Sequence, residues 1–229
     1  MINSINVIGD GSAFAEDLNC TSFFFIKHNT CYLFECSFDT FKFIKTNKQI
    51  FSKCNRFVIS ISHNHEDHIG GLGSFLLYLQ FVLKITEDKI FIVCPSAKEV
   101  KDYISIVVGE DSYKLIKYTR KLVNNDVEIT AIDTTHCPMP CCGFLVSDKD
   151  SSFFYTGDTN VLNQDIAKLY NEHKLDLLIG EVTLYESPVN LQFDEYIKNF
   201  GKDNLDRIMF VHFDSQDAKN KINKFIEEQ

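Results

Sequence analysis

The chain is short of several things that would each point to a particular class of protein. Only four of its 229 residues are proline, at 95, 138, 140 and 188, and no stretch reads as a linker. No window approaches the roughly 20 consecutive apolar residues that a membrane-spanning helix needs. No basic stretch precedes an apolar run at Met1 to Gly11, so no secretory leader is expected, and the reading is cytoplasmic with no membrane partner. Eight cysteines are present, at 20, 31, 36, 54, 94, 137, 141 and 142, without a repeated C-x-x-C spacing. They default to reduced thiols. Cationic side chains are in deficit, 23 against 32 acidic ones, for a net charge of −9. Such a chain has no general attraction for a phosphate backbone, which counts against a large nucleic acid as partner. Internal repeats on the 20–50 residue scale are absent too.

What remains is the composition of an ordinary globular protein, 45% apolar and 24% charged. A chain of this length buries about 70% of its unfolded surface, and we read residues 1–229 as a single domain. Short β-branched or aromatic runs predict strands at 5–8, 22–27, 30–35, 56–61, 89–94, 127–132, 143–146, 152–155, 175–182 and 207–211. Helical spacing of apolar residues predicts helices at 38–46, 69–84, 97–108, 164–172, 193–200 and 217–227. Two sheets packed face to face with helices outside suit that order, an α/β architecture.

Three of the seven histidines fall within six residues, His63-x-His65-x-Asp67-His68. Alternation along a strand end points His63 and His65 the same way, and the turn that follows brings Asp67 and His68 toward the same cavity. Such a set can hold two metal ions, and further candidate ligands follow β-like runs at His136, Asp158 and His212. Imidazole and carboxylate suit zinc, with manganese or iron as alternatives. Cys137, Cys141 and Cys142 beside His136 form a weaker Cys/His alternative. His28 and His173 read as solvated loop residues. Gly9-Asp10-Gly11 reads as a strand-ending turn in preference to a phosphate cradle. Among the 21 phenylalanines, one or two are candidates to stack a base, but the sequence does not say which.

In this order the motifs resemble the metal-ligand set of the metallo-β-lactamase superfamily, whose fold is an αβ/βα sandwich. The resemblance runs from Gly9 to His212. It implies that His63, His65 and His136 bind one ion, that Asp67, His68 and His212 bind the other, and that Asp158 bridges them. Within the superfamily the chain is similar to the tRNase Z-like branch: Ile8-Gly-Asp-Gly-Ser-Ala-Phe14 and Phe34-Glu-Cys36 resemble its opening strands. Leu175-Asp-Leu-Leu-Ile-Gly-Glu181-Val-Thr resembles its strand ending in the HEAT motif, with Gly180 at the histidine. The resemblance gives Glu181 the place of a carboxylate that assists proton transfer, and Asp67 the orientation of the nucleophile as well as metal binding.

Two features depart from tRNA-processing members. His136 and Asp158 are 22 residues apart, and two strands fill the interval, so no tRNA-gripping arm fits there. The family's histidine about 20 residues before the last ligand is missing from Ser187-Pro-Val-Asn190-Leu-Gln192. An armless relative looks more like the phage anti-Pycsar proteins, short enzymes that hydrolyse cyclic nucleotide second messengers. The segments His136-Cys-Pro-Met-Pro-Cys-Cys-Gly143-Phe and Tyr155-Thr-Gly-Asp-Thr-Asn160 carry that likeness. It implies a homodimeric, two-metal phosphodiesterase with a small cyclic nucleotide as substrate. A tRNase Z-like endoribonuclease, another small-ester hydrolase and a protein that sequesters nucleotides are the alternatives.

Overall fold

The fold follows from the two-residue alternation of its aromatic strands. A computed structural model describes residues 1–109 and 113–228. The first sheet has the order β1 (Asn6–Gly9), β2 (Ser22–Lys27), β3 (Thr30–Phe34), β4 (Arg56–Ser60), β5 (Ile90–Val93) and β6 (Lys117–Thr119). Pairing is antiparallel from β1 to β3 and parallel from β3 to β6. The second sheet has the order β12 (Ile208–Val211), β11 (Leu177–Glu181), β10 (Ser152–Tyr155), β9 (Cys141–Ser147), β8 (Val127–Thr134) and β7 (Lys121–Asn124). There β10, β11 and β12 run parallel and β7 to β10 antiparallel.

Phe23 and Phe25 face the second sheet while Phe24, between them, faces the helices. Phe153 and Tyr155 likewise point between the sheets and Phe154 points out. The inter-sheet core is therefore aromatic, with Phe23 and Phe34 stacked 4.6 Å apart and Phe34 meeting Phe153 edge-on at 5.6 Å. Such pairs add to the burial that drives the packing. The outer face of the first sheet packs on α1 (Phe38–Thr46), α2 (Lys48–Phe51), α4 (Leu72–Phe81) and α5 (Ala97–Val107) through Ile44, Phe51, Phe75, Leu76 and Ile104. The outer face of the second packs on α6 (Gln164–Asn171), α7 (Phe193–Phe200) and α8 (Gln216–Glu227) through Ile166, Tyr170, Tyr196, Phe200 and Ile222. The resulting αβ/βα sandwich is the expected fold class. Among the described residues no helix is long and apolar enough to cross a membrane.

The structure differs from the sequence reading at one helix and at two edge strands, and agrees with it at the Gly9–Gly11 turn. The helix expected over 69–84 is two pieces, α3 (Glu66–Ile69) and α4. The break falls at Gly70-Gly71, where the Gly71 amide donates to the Cys36 carbonyl at 2.8 Å and a Cβ would lie 2.1 Å from the Ser37 oxygen. That close approach needs a glycine. The edge strands β6 and β7 were not expected. They are short and lysine-bearing, as sheet edges often are, so they carry little apolar alternation. Gly9 ends β1, and Gly11 bridges to Cys20 and Phe213, so the Gly9–Gly11 segment ties strands together. Asp10, Glu16 and Asp17 around it make it a poor phosphate cradle.

Candidate metal centre

The site forms where strands of both sheets end on one side of the sandwich. Beyond β4 come Ser62, His63 and His65, with Asp67 and His68 on α3; His136 follows β8, Asp158 follows β10, Glu181 ends β11 and His212 follows β12. His212 takes φ +61°, a left-handed conformation uncommon for a non-glycine residue and often found at functional positions.

The seven residues expected as ligands come together. They form two groups of four donors that share Asp158: His63, His65, His136 and Asp158, and Asp67, His68, Asp158 and His212, each group's atoms lying within 4.8 Å of one another. In the first, His63 Nε2 lies 2.8 Å from His65 Nδ1 and 3.9 Å from Asp158 Oδ2, and His136 Nε2 is 3.4 Å from His65 Nδ1 and 3.6 Å from Asp158 Oδ2. In the second, His68 Nε2 lies 3.0 Å from Asp67 Oδ2 and 3.4 Å from Asp158 Oδ1, and His212 Nε2 is 3.3 Å from Asp67 Oδ2 and 3.4 Å from Asp158 Oδ2. Four ligand atoms about 2.0–2.1 Å from one ion in a tetrahedron stand about 3.3 Å apart, and both sets scatter around that value. His68 Nε2 and Asp158 Oδ1 are buried and close, yet neither has a hydrogen-bond partner. Buried polar atoms seldom go unsatisfied. Atoms aimed at a common point and not at one another are what a cation needs, so the donors fit a divalent metal.

The far side of each ring is also held. Ser62 Oγ lies 3.0 Å from His63 Nδ1, and His136 Nδ1–H donates to the Val189 carbonyl at 2.7 Å. Behind His68 Nδ1 stands Glu35 Oε1 at 3.5 Å, and behind His212 Nδ1 stands Glu181 Oε2 at 3.5 Å. Glu35 is fully buried, accepts the Ser62 amide at 3.2 Å and takes φ +62°. Partners of this kind fix tautomer and ring direction.

Burial and the neighbouring His68 push His63 down to about 2. Burial would also lower His212, but Asp158, a hydrogen bond with Asp67, and Glu181 outweigh it and push the ring up to about 9. Burial opposes ionisation of Asp67 as well, yet His68 and His212 hold it well below the usual carboxylate range. Burial and then Asp158 push Glu181 up to about 8.

Glu181 does not face the cleft. It is 1% exposed and engaged by the Thr159 amide, the Leu191 amide at 3.3 Å and Asn190 Nδ2 at 2.6 Å. Gly180, at the HEAT histidine's place, packs against Tyr196: a Cβ there would lie 2.3 Å from the tyrosine oxygen, which donates to the Glu181 carbonyl at 2.7 Å. The Cys/His alternative does not assemble. Cys137 and Cys141 sulfurs are 3.7 Å apart, but no cysteine joins a donor group among the described residues, and Cys142 packs in the inter-sheet core. His28 and His173 are exposed at left-handed turn positions. Sequence reasoning gave no role to Glu35, an acidic residue closing an apolar strand as Glu181 does, nor to Ser62. The Val189 carbonyl has no side-chain signal at all.

Above the donors opens a cleft of about 230 Å³, whose lining includes His65, Asp67, His136, Asp158 and His212, with Phe14, Val189, Asn190 and Asp214.

Residues 3–228 match the family described as "Anti-Pycsar protein Apyc1". No curated protein matches the chain in sequence. Among solved structures, the metallo-β-lactamase fold protein YhfI from Bacillus subtilis is similar at 18% identity and a TM-score of 0.71, over 98% of this chain and 92% of that one. The short form of human tRNase Z gives 22% identity and a TM-score of 0.68, over 93% of each chain. A diphosphatase of the PhnP family gives 13% identity and a TM-score of 0.69, over 96% of this chain and 90% of that one. The match over nearly the whole chain, on this fold and beside these donors, makes the protein a member of the anti-Pycsar Apyc1 family.

Proposed function

We propose that this enzyme hydrolyses 3′,5′-cyclic mononucleotides to linear nucleoside monophosphates, using two divalent ions, zinc first. One observation carries the reading: two donor groups sharing Asp158 at the floor of a cleft of small-molecule size. Divalent ions held there supply Lewis-acid polarisation of phosphoryl oxygens and activation of water near neutral pH. His63, His65 and His136 would hold one ion and Asp67, His68 and His212 the other, with Asp158 available to both donor groups. Asp67, ionised and on the cleft lining, orients the attacking water. A bond forms from the water oxygen to phosphorus, the bond from phosphorus to the 3′ oxygen breaks, and the departing oxygen takes up a proton. Glu181 stands behind His212, its Oε2 3.5 Å from Nδ1, so it acts as a positioning residue for that ring and does not touch the leaving group.

The span from His136 to Asp158 supports a small substrate over tRNA. It contains the β9–β10 hairpin and its flanking turns, with no arm. The acidic net charge of −9 agrees. Destroying a cyclic messenger suits evasion of a nucleotide-based antiphage defence in the host cytoplasm. The reading includes a homodimer, for which Phe38, Phe81 and Ile106 on α1, α4 and α5 offer exposed apolar surface. Light scattering at twice the 26.4 kDa chain mass checks that point.

Incubating metal-loaded protein with cyclic nucleotides, a precursor tRNA and a thioester tests the substrate. Linear monophosphate from the cyclic compounds is the expected product. Cleaved tRNA beside intact cyclic nucleotides contradicts the proposal and favours the endoribonuclease, and nucleotide retained unchanged favours sequestration.

A further inference from the structure

The floor and the mouth of the cleft differ in chemistry. The floor is imidazole and carboxylate, and its His136 and Asp158 are buried. The mouth is formed by two loops, 10–19 with Ser12, Ala13 and Phe14, and 183–192 with Val189 and Asn190. Phe14 is 92% exposed, so it has no packing role within the chain. Yet the backbone that presents it is tied down. The Ser12 amide donates to the Phe213 carbonyl at 2.9 Å, the Phe213 amide to the Asp10 carbonyl at 2.9 Å, and the Gly11 amide to the Asn19 carbonyl at 2.8 Å. Those bonds fasten the base of the loop to the residue that follows His212, and from that loop Phe14 joins the lining of the cleft.

The side chains of Asn190 and Asp214 at the mouth are already committed. Asn190 Nδ2 donates to Glu181 at 2.6 Å, and the Asp214 carboxylate takes the Thr183 hydroxyl at 2.9 Å and the Leu184 amide at 3.2 Å. What the mouth offers an entering molecule is the Phe14 ring and the side chain of Val189, with the Ser12 hydroxyl beside them. A cyclic nucleotide divides in the same way, into a charged phosphodiester for the floor and a flat base. Leaving a phenylalanine in water beside a catalytic centre is repaid when a base covers it.

We propose that Phe14, together with Val189, forms a nucleobase subsite, in which the base stacks on the Phe14 ring while the phosphodiester occupies the donor groups. This rests on the cyclic-nucleotide reading above and adds to it the residue that grips the base. Stacking held equally in ground and transition states lowers KM without changing kcat.

The test compares wild type, Phe14→Ala and Phe14→Tyr on a cyclic purine mononucleotide and on the 3′,5′-cyclic phosphate of methyl riboside, which has no base. Calorimetry of the linear monophosphate product runs alongside. Base stacking lost to alanine corresponds to about 5- to 150-fold. Phe14→Ala is expected to raise KM for the nucleotide, and Kd for the monophosphate, by that factor. Its kcat, and all its constants for the base-free compound, stay at the wild-type values, and Phe14→Tyr behaves as wild type. An unchanged KM on the nucleotide, or an equal loss on both compounds, overturns the subsite and leaves the function standing. A wild-type enzyme inert to every cyclic nucleotide overturns the function, and the subsite with it.

Discussion

The two donor groups meet at Asp158 but are supported by opposite chemistry. Behind the first stand neutral partners, the Ser62 hydroxyl at His63 and the Val189 carbonyl at His136. Behind the second stand acidic side chains, Glu35 at His68 and Glu181 at His212, with the Ser62 hydroxyl also 3.5 Å from His68 Nδ1. The protonation of the rings also differs between the two groups. His63 is held neutral, down to about 2. Burial would lower His68 too, but Asp158, Glu35 and Asp67 hold it well above the usual histidine range. His212 is pushed up to about 9. An ion entering the first group therefore meets a ring already free of a proton, whereas one entering the second must displace protons. A carboxylate behind a ligating imidazole raises its basicity and fixes its direction, and the linkage of metal binding to pH follows from the protons displaced.

The largest expected effect comes from the shared residue. Asp158→Ala takes a donor from both groups, so metal content falls toward zero and turnover becomes undetectable. Asp67→Ala or His65→Ala strikes one group alone. Each abolishes turnover while circular dichroism and the unfolding midpoint show the fold retained; near-native hydrolysis with one ion missing contradicts a two-ion mechanism.

Acidification separates the groups next. The raised folded values of His68 and His212 mean that those rings bind protons at neutral pH where His63 binds none. Lowering the pH from 8 toward 5.5 then strengthens the proton's competition at His68 and His212, and metal content measured after dialysis is expected to drop from two ions per chain to one. Simultaneous loss of both ions contradicts the asymmetry.

Removing the supports gives smaller effects. Glu35→Gln is expected to weaken the second ion by about 10- to 100-fold and to leave the first unchanged in a chelator titration. Ser62→Ala weakens the first by less, because it removes a neutral hydrogen bond and no charge, and it affects the second less still, because Ser62 Oγ stands 3.0 Å from His63 Nδ1 but 3.5 Å from His68 Nδ1. The reverse order contradicts the assignment of supports.

The donor residues themselves were legible in the sequence because they follow apolar strands, and the order His63, His65, Asp67, His68, His136, Asp158, His212 is specific. Their supports were not. Glu35 lies next to Phe34 and Cys36 in a run where burial, not residue type, determines its role. The Val189 carbonyl belongs to the backbone and leaves no mark on residue choice. Phe14 is one of 21 phenylalanines, and an exposed one has the same letter as a core one; only the loop's tether to Phe213 singles it out. The main strands and helices were legible from alternation and spacing. The β6 and β7 edges were not, since short lysine-bearing strands lack that alternation, and the break before α4 depends on a tertiary contact between Gly71 and Ser37.

Anomalous diffraction from crystals of the protein purified without chelator, recorded at the absorption edge of the metal that elemental analysis finds, tests the central claim most directly. The account predicts two peaks, one ringed by His63, His65 and His136 and one by Asp67, His68 and His212, with Asp158 touching both. A centre with no peak, or an ion seated instead on Cys137 and Cys141, contradicts it.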